Sequence, residues 1–164
     1  MPLEISLQEA IKRSIQTEKS AMNFYISCAA RMRNEAARKT FELLAREERE
    51  HAHSFFDIYE GKDIPSFDTF IDTDKGKSEW LSELESLALP NLDERKAMEV
   101  AMAKEQQLAA HLRSMAASAS NAKVKAIFEQ NAKSTDHHYQ LIESEYARMM
   151  GMVHETDIDT FVRE

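Results

Sequence analysis

Five side chains able to ligate a metal stand where a plain hydrocarbon core would be expected: Glu18, Glu48, His51, Glu105 and His138. Each falls on the apolar stripe of a predicted helix. The four stripes run 14, 18, 21, 25; then 41, 44, 48, 51, 55; then 98, 101, 105, 108, 112; then 124, 128, 131, 135, 138, 142. Steps of three and four follow one face of a helix. The fourth stripe also carries Asn131 and Thr135, so it is polar at three consecutive inward positions. An ionised carboxylate on such a face is costly unless it is paired or bound to a cation. Carboxylate oxygen together with imidazole nitrogen suits iron, manganese or zinc better than thiol-preferring ions. Glu48 and His51, at i and i+3, share one helical face. Facing helices that supply Glu and Glu-x-x-His make up the bundle recipe for a two-metal carboxylate site.

Each residue has a bland reading. Glu-x-x-His arises by chance in Glu-rich helices, and a charged run such as Glu47, Glu48 and Glu50 is ordinarily solvated. What joins the five is height. Counting from a turn at Asn34, Glu18 lies 16 residues before it, and Glu48 and His51 lie 14 and 17 after it. Counting from a turn at Ser120, Glu105 lies 15 before it, and Thr135 and His138 lie 15 and 18 after it. Antiparallel packing brings all of them level, about 22 Å from the turns at ~1.5 Å per residue. His53, His111 and His137 fall off or beside the stripes and are expected at the surface or at an interface, and the nine Met are core filler rather than a soft-metal site. Tyr25, one heptad after Glu18, serves either as a hydrogen-bond donor to a ligating carboxylate or as simple packing.

The elements that must position these groups read as four helices in two hairpins. Ser6-Leu7-Gln8-Glu9 resembles a capping box and starts the first helix. Asn34 is a turn and cap, and the second helix is expected to stop at Gly61. Residues 62–92 form a crossover with a short helix near 80–87, whose Phe67, Phe70 and Trp80 cover either the bundle or a partner. Asp93 caps the third helix, Asn121 marks the next turn, the fourth helix is expected to end at Gly151, and 152–164 is an uninformative tail. The fold is therefore all-α: an antiparallel four-helix bundle over 5–150, with hairpins at 6–61 and 93–151. The hairpins also match at one offset of 87: Ala10 with Ala97, Glu18 with Glu105, Phe41 with Phe128, Ala45 with Ala132, His51 with His138, Tyr59 with Tyr146. Six ungapped matches point to an internal duplication.

Composition bounds the rest. With 164 residues, 3 Gly and 3 Pro, the chain suits one helical domain. A formal charge of −8 argues against nucleic acid as a partner. No apolar run reaches the ~20 residues of a membrane span, and the start of the chain lacks the basic head and apolar core of a signal peptide. A cytoplasmic location is the expectation. The single cysteine, Cys28, excludes an internal disulfide and any CxxC site.

Ala45-Arg46-Glu47-Glu48-Arg49-Glu50-His51-Ala52 resembles the second-helix motif of ferritin-like proteins, and Thr17-Glu18-Lys19-Ser20-Ala21-Met22-Asn23-Phe24-Tyr25 the first-helix motif of rubrerythrin-type members. The resemblance covers roughly 5–150, and His138 favours the rubrerythrin side. It implies a di-iron site that reacts with peroxide or oxygen, and a homodimer. Full rubrerythrins also carry a CxxC-type iron module; with one cysteine this chain has none, so an external electron donor protein is expected. Two positions depart from the pattern. The fourth helix reads Thr135-Asp136-His137-His138 where Glu-x-x-His is usual, and Leu108 stands where the third helix of rubrerythrins offers another Glu. Asp136 points about 100° away from Thr135 and is a poor substitute. Three carboxylates against two Fe(II) leave a net +1. A weaker second metal, an exogenous anion, or a single-metal site follows. Three functions remain in play: a di-iron oxidoreductase, an iron-binding or buffering protein with an incomplete site, and a structural bundle with a relic site.

Overall fold

The computed structural model describes residues 2–74, 76–86 and 93–162, with side chains described for 7–74, 76–86 and 93–151. Among these, the chain forms six helices and no strand: α1 Pro2–Ala29, α2 Glu35–Phe56, α3 Phe67–Asp72, α4 Glu79–Glu85, α5 Glu94–Ser118 and α6 Ala122–Val162. The four long helices pair as α1 with α2 and α5 with α6, and α2 meets α6 across a seam between the hairpins. This is the all-α bundle that the stripes predict, with the crossover of the family that its motifs resemble. No described helix is long and apolar enough to cross a membrane.

The turns are set by short polar caps. Asn34 Oδ1 accepts from the Ala37 amide at 3.0 Å, Asp93 Oδ1 from Lys96 at 3.0 Å, and Asn121 Oδ1 from Val124 at 3.1 Å. Each satisfies one amide that a helix start leaves without an intrahelical partner. The Glu94 carboxylate also accepts from the backbone amides of Arg33 and Asn34, tying the first turn to the start of α5.

Several boundaries differ from expectation. α1 begins at Pro2 rather than near Ser6, which proline tolerates because the first helical amide needs no partner. α2 stops at Phe56; Gly61 lies beyond it, where an added Cβ would collide with the Tyr59 ring. α6 does not end at Gly151 but runs through it to Val162, so 152–162 is helical rather than a featureless tail. Glycine costs a helix only about 1 kcal/mol, too little to stop one by itself.

The crossover is longer in structure than its sequence suggested, with α3 as well as α4. It is fastened to α1. Lys19 Nζ donates to Phe70 O at 2.6 Å and Thr73 Oγ1 at 2.7 Å and sits over the Phe70 ring. Asn23 Nδ2 donates to Asp74 O and Lys77 O. Phe67 and Trp80 are buried, and the Trp80 ring stacks edge-on against Phe24 and Tyr25. Of the two roles open for these aromatics, covering the bundle is the one observed. The short helix expected near 80–87 spans Glu79–Glu85; residues 87–92 lie outside the described part.

Candidate metal centre

α1, α2, α5 and α6 bring Glu18, Glu48, His51, Glu105 and His138 into one interior layer. All five are buried, as are Asn131 and Thr135. The layer divides into two halves that share Glu48. Glu48 Oε1 lies 2.7 Å from His138 Nδ1, and its Oε2 lies 3.8 Å from His51 Nδ1. Glu18 Oε2 is 3.5 Å from His51 Nδ1, and Glu105 Oε2 is 3.8 Å from His138 Nδ1. The two imidazoles stack nearly parallel, 5.0 Å apart. Ligand atoms of Glu48, His51 and His138 all fall within 4.8 Å of one another.

Seven atoms in this layer are buried with no aligned hydrogen-bond partner: both carboxylate oxygens of Glu18 and of Glu48, Glu105 Oε2, and Nδ1 of each histidine. Nearly all buried polar groups in proteins are paired, so seven unpaired atoms converging from four helices is a pattern that packing alone does not produce. The donor set is the oxygen and nitrogen mixture that iron, manganese or zinc accepts. Burial and the adjacent carboxylates Glu18 and Glu105 push Glu48 well above the usual carboxylate range. Burial does the same to Glu105, against the Tyr25 hydrogen bond and with help from Glu18. Burial raises Glu18 too, but the Glu48 carboxyl and His51 outweigh it and hold Glu18 low. Burial and the facing His51 lower His138 to about 4, so its ring is neutral. Three carboxyls this close do not all ionise without a cation among them.

The surroundings orient the layer. Tyr25 donates to Glu105 Oε1 at 2.8 Å and also packs edge-on against Phe24, Phe41 and Trp80. Its phenol is pushed well above its ordinary pKa, first by burial and then by Glu105, so it stays a donor. Thr135 Oγ1 donates back to Asn131 O at 2.7 Å, and Asn131 Nδ2 donates to Ser54 Oγ at 3.0 Å and to Ile127 O at 2.8 Å. Leu108 is buried core. Asp136 pairs with Arg113 on the outer face. His53, His111 and His137 are exposed.

Two residues escaped the sequence reading. Glu47, taken as part of a solvated run, places Oε1 2.7 Å from His138 Nε2. Ser134 Oγ lies 2.7 Å from His51 Nε2. The offset of 87 could have found them: 134 − 47 is 87, and each stands four residues before a layer histidine.

Among known families, the model described as Rubrerythrin matches residues 9–146, which includes all of this layer. No curated protein and no solved structure matches the chain.

Proposed function

We propose that this chain, which belongs to the rubrerythrin family, holds iron in the mid-bundle layer and acts as a non-haem oxidoreductase. In this reading it reduces peroxide or oxygen with electrons from a separate donor protein. The observation that carries the proposal is the set of seven buried, unpartnered ligand atoms from four helices. Glu48 suits a shared ligand, because its two oxygens face different histidines. Glu18 beside His51 and Glu105 beside His138 suit terminal ligands. Iron, when bound, supplies the redox centre and Lewis acid.

The chain itself supplies a dry, oriented pocket. Its helices bury the layer residues, Tyr25 keeps a proton aimed at Glu105, and the outer nitrogens of both histidines are held at the α2–α6 seam. The one cysteine, Cys28, is buried and its thiol is pushed by that burial up to about 12, so it is poorly suited to relay electrons. This supports an external donor.

A second reading, iron binding without efficient turnover, is favoured by Thr135. The family pattern has a carboxylate there; here a hydroxyl is bonded to its own helix. Anaerobic Fe(II) loading, metal analysis and a melting curve test both readings, since a ligand bound only by the folded state raises apparent stability. Close to two irons per chain and fast oxidation of the Fe(II)-loaded protein by peroxide, read as the appearance of ferric absorption, are expected for the oxidoreductase. Stoichiometric binding with no turnover would leave the binding protein. No iron and an unmoved melting curve would end both.

A further inference from the structure

The two histidines of the layer sit in equivalent places but lean on unlike partners. His51 and His138 are related by the offset of 87, as are Ser134 and Glu47. Each histidine reaches across the α2–α6 seam with Nε2 to the residue four before the other: His138 to Glu47 and His51 to Ser134, both at 2.7 Å. A carboxylate only accepts hydrogen bonds, whereas a hydroxyl both donates and accepts. Glu47 therefore fixes the hydrogen of neutral His138 on Nε2 and leaves the Nδ1 lone pair facing Glu48 and Glu105. Ser134 fixes nothing. When its hydroxyl donates to Nε2, His51 carries its hydrogen on Nδ1, towards Glu18 and Glu48, and that tautomer cannot bind a cation there. A carboxylate behind a ligating imidazole also makes it a stronger donor, and a neutral hydroxyl does so less.

We propose that the two halves of the layer fill in order. The half made by Glu48, Glu105 and His138, with Glu47 behind it, takes the first divalent cation. The half made by Glu18, Glu48 and His51, with Ser134 behind it, takes the second more weakly, because His51 must change tautomer and Glu48 is already shared. Glu47 is then a positioning residue. The proposal rests on the metal-binding reading above.

Anaerobic titration of the full chain with Co(II), followed by visible absorption and calorimetry, tests it. Two steps are expected, and His138→Ala should remove the tighter one while His51→Ala removes the weaker. Glu47→Gln keeps the shape of the side chain. It should weaken the tighter step by about 10- to 100-fold and change the Co(II) absorption of the first equivalent, with the metal-free melting curve unmoved. Ser134→Asp should strengthen the weaker step. Loss of the tighter step in His51→Ala, or an unchanged tighter step in Glu47→Gln, overturns the order while leaving the metal reading intact. No Co(II) bound by the unaltered chain overturns both.

Discussion

The hairpin α1–α2 and the hairpin α5–α6 answer each other position by position, and they differ where charge is at stake. Positions that build shape agree: Phe41 and Phe128 are both fully buried, Ala45 and Ala132 both buried, and Glu18 and Glu105 both sealed in the layer. Positions that set its electrostatics do not. Glu48 answers to Thr135, Tyr25 to Leu112, and Glu47 to Ser134. The outer faces diverge as well. Ile26, the one large exposed hydrophobic among the described residues, answers to Arg113, which pairs with Asp136 where the first hairpin has Arg49. A scaffold that needs one geometry twice keeps the packing and the buried pair Glu18 and Glu105. The two oxygens of Glu48 face different histidines, so on the proposed metal reading a single Glu48 serves both halves and its counterpart is free to vary.

The most damaging way to break the comparison is to remove from position 48 the carboxylate that the second hairpin lacks at position 135. Glu48→Gln removes the oxygen pair that faces both histidines. Wild-type protein at a cation concentration a hundredfold above Kd should gain about 2.7 kcal/mol of apparent stability. Glu48→Gln should gain almost none, in metal-titrated urea unfolding. Without metal it should melt no lower than wild type, because a buried carboxyl between two others is replaced by a neutral group of the same shape. A clear metal-dependent rise in the variant would show that Glu48 is not the shared ligand.

The converse change makes the second hairpin resemble the first. Thr135→Glu adds the fourth carboxylate, and four charges balance two divalent ions where three do not. The second cation should bind at least about tenfold more tightly, or ~1.4 kcal/mol, read by anaerobic Fe(II) or Co(II) titration. The metal-free variant should melt lower, since another carboxyl is buried among three. Absence of any gain would mean that the space beside Thr135, held by its bond to Asn131 and by Asn131 to Ser54, already compensates.

A smaller effect belongs to Tyr25, whose counterpart Leu112 is plain core. Tyr25→Phe keeps the ring among Phe24, Phe41 and Trp80 and deletes only the donor to Glu105. Leaving a buried acceptor unsatisfied costs about 1–3 kcal/mol, so the metal-free variant should lose about that much stability, read as a lower midpoint of urea unfolding. An unchanged midpoint would mean that Glu105 Oε1 finds another partner once the Tyr25 hydroxyl is gone.

The same contrast explains what the sequence could and could not disclose. Periodicity and the counting of residues from each turn bring Glu18, Glu48, His51, Glu105 and His138 to one level, because helix rise is fixed and the caps at Asn34 and Asn121 are strong signals. Glu47 and Ser134 were opaque for the opposite reason. Both sit beside the stripes, where a carboxylate or hydroxyl normally meets water, and only the crossing of α2 and α6 turns them towards histidines. Boundaries went astray at Gly61 and Gly151, because glycine weakens a helix without ending it. The crossover could not be assigned to the bundle from sequence, since the contacts of Lys19, Ser20 and Asn23 with residues 70–79 are long-range.

The smallest expected effect lies at the rim, where the paired tyrosines Tyr59 and Tyr146 each donate to a carboxylate by different routes. Tyr146 donates at 2.7 Å to Glu99, and position 99 answers to Lys12 in the first hairpin. Because a lysine cannot accept, Tyr59 donates instead to Asp63 at 2.6 Å, and Lys12 Nζ reaches the same carboxylate at 2.5 Å. The Lys12 and Tyr59 hydrogen bonds hold Asp63 down at about 2 against its ordinary 3.8. A carboxyl depressed by folding contributes stability that is present above pH 3.8 and is lost as pH falls through about 2. The group is exposed and screened, so the contribution is slight. Asp63→Asn should therefore leave the midpoint of urea unfolding at neutral pH nearly unchanged and flatten the acid limb of the stability curve between those two values. High salt should flatten the wild-type curve in the same way. Were the acid limb identical in wild type and variant at low salt, the rim of the first hairpin would owe its order to Gly61 admitting the Tyr59 ring and not to the ion pair, and the route through Asp63 would be packing alone.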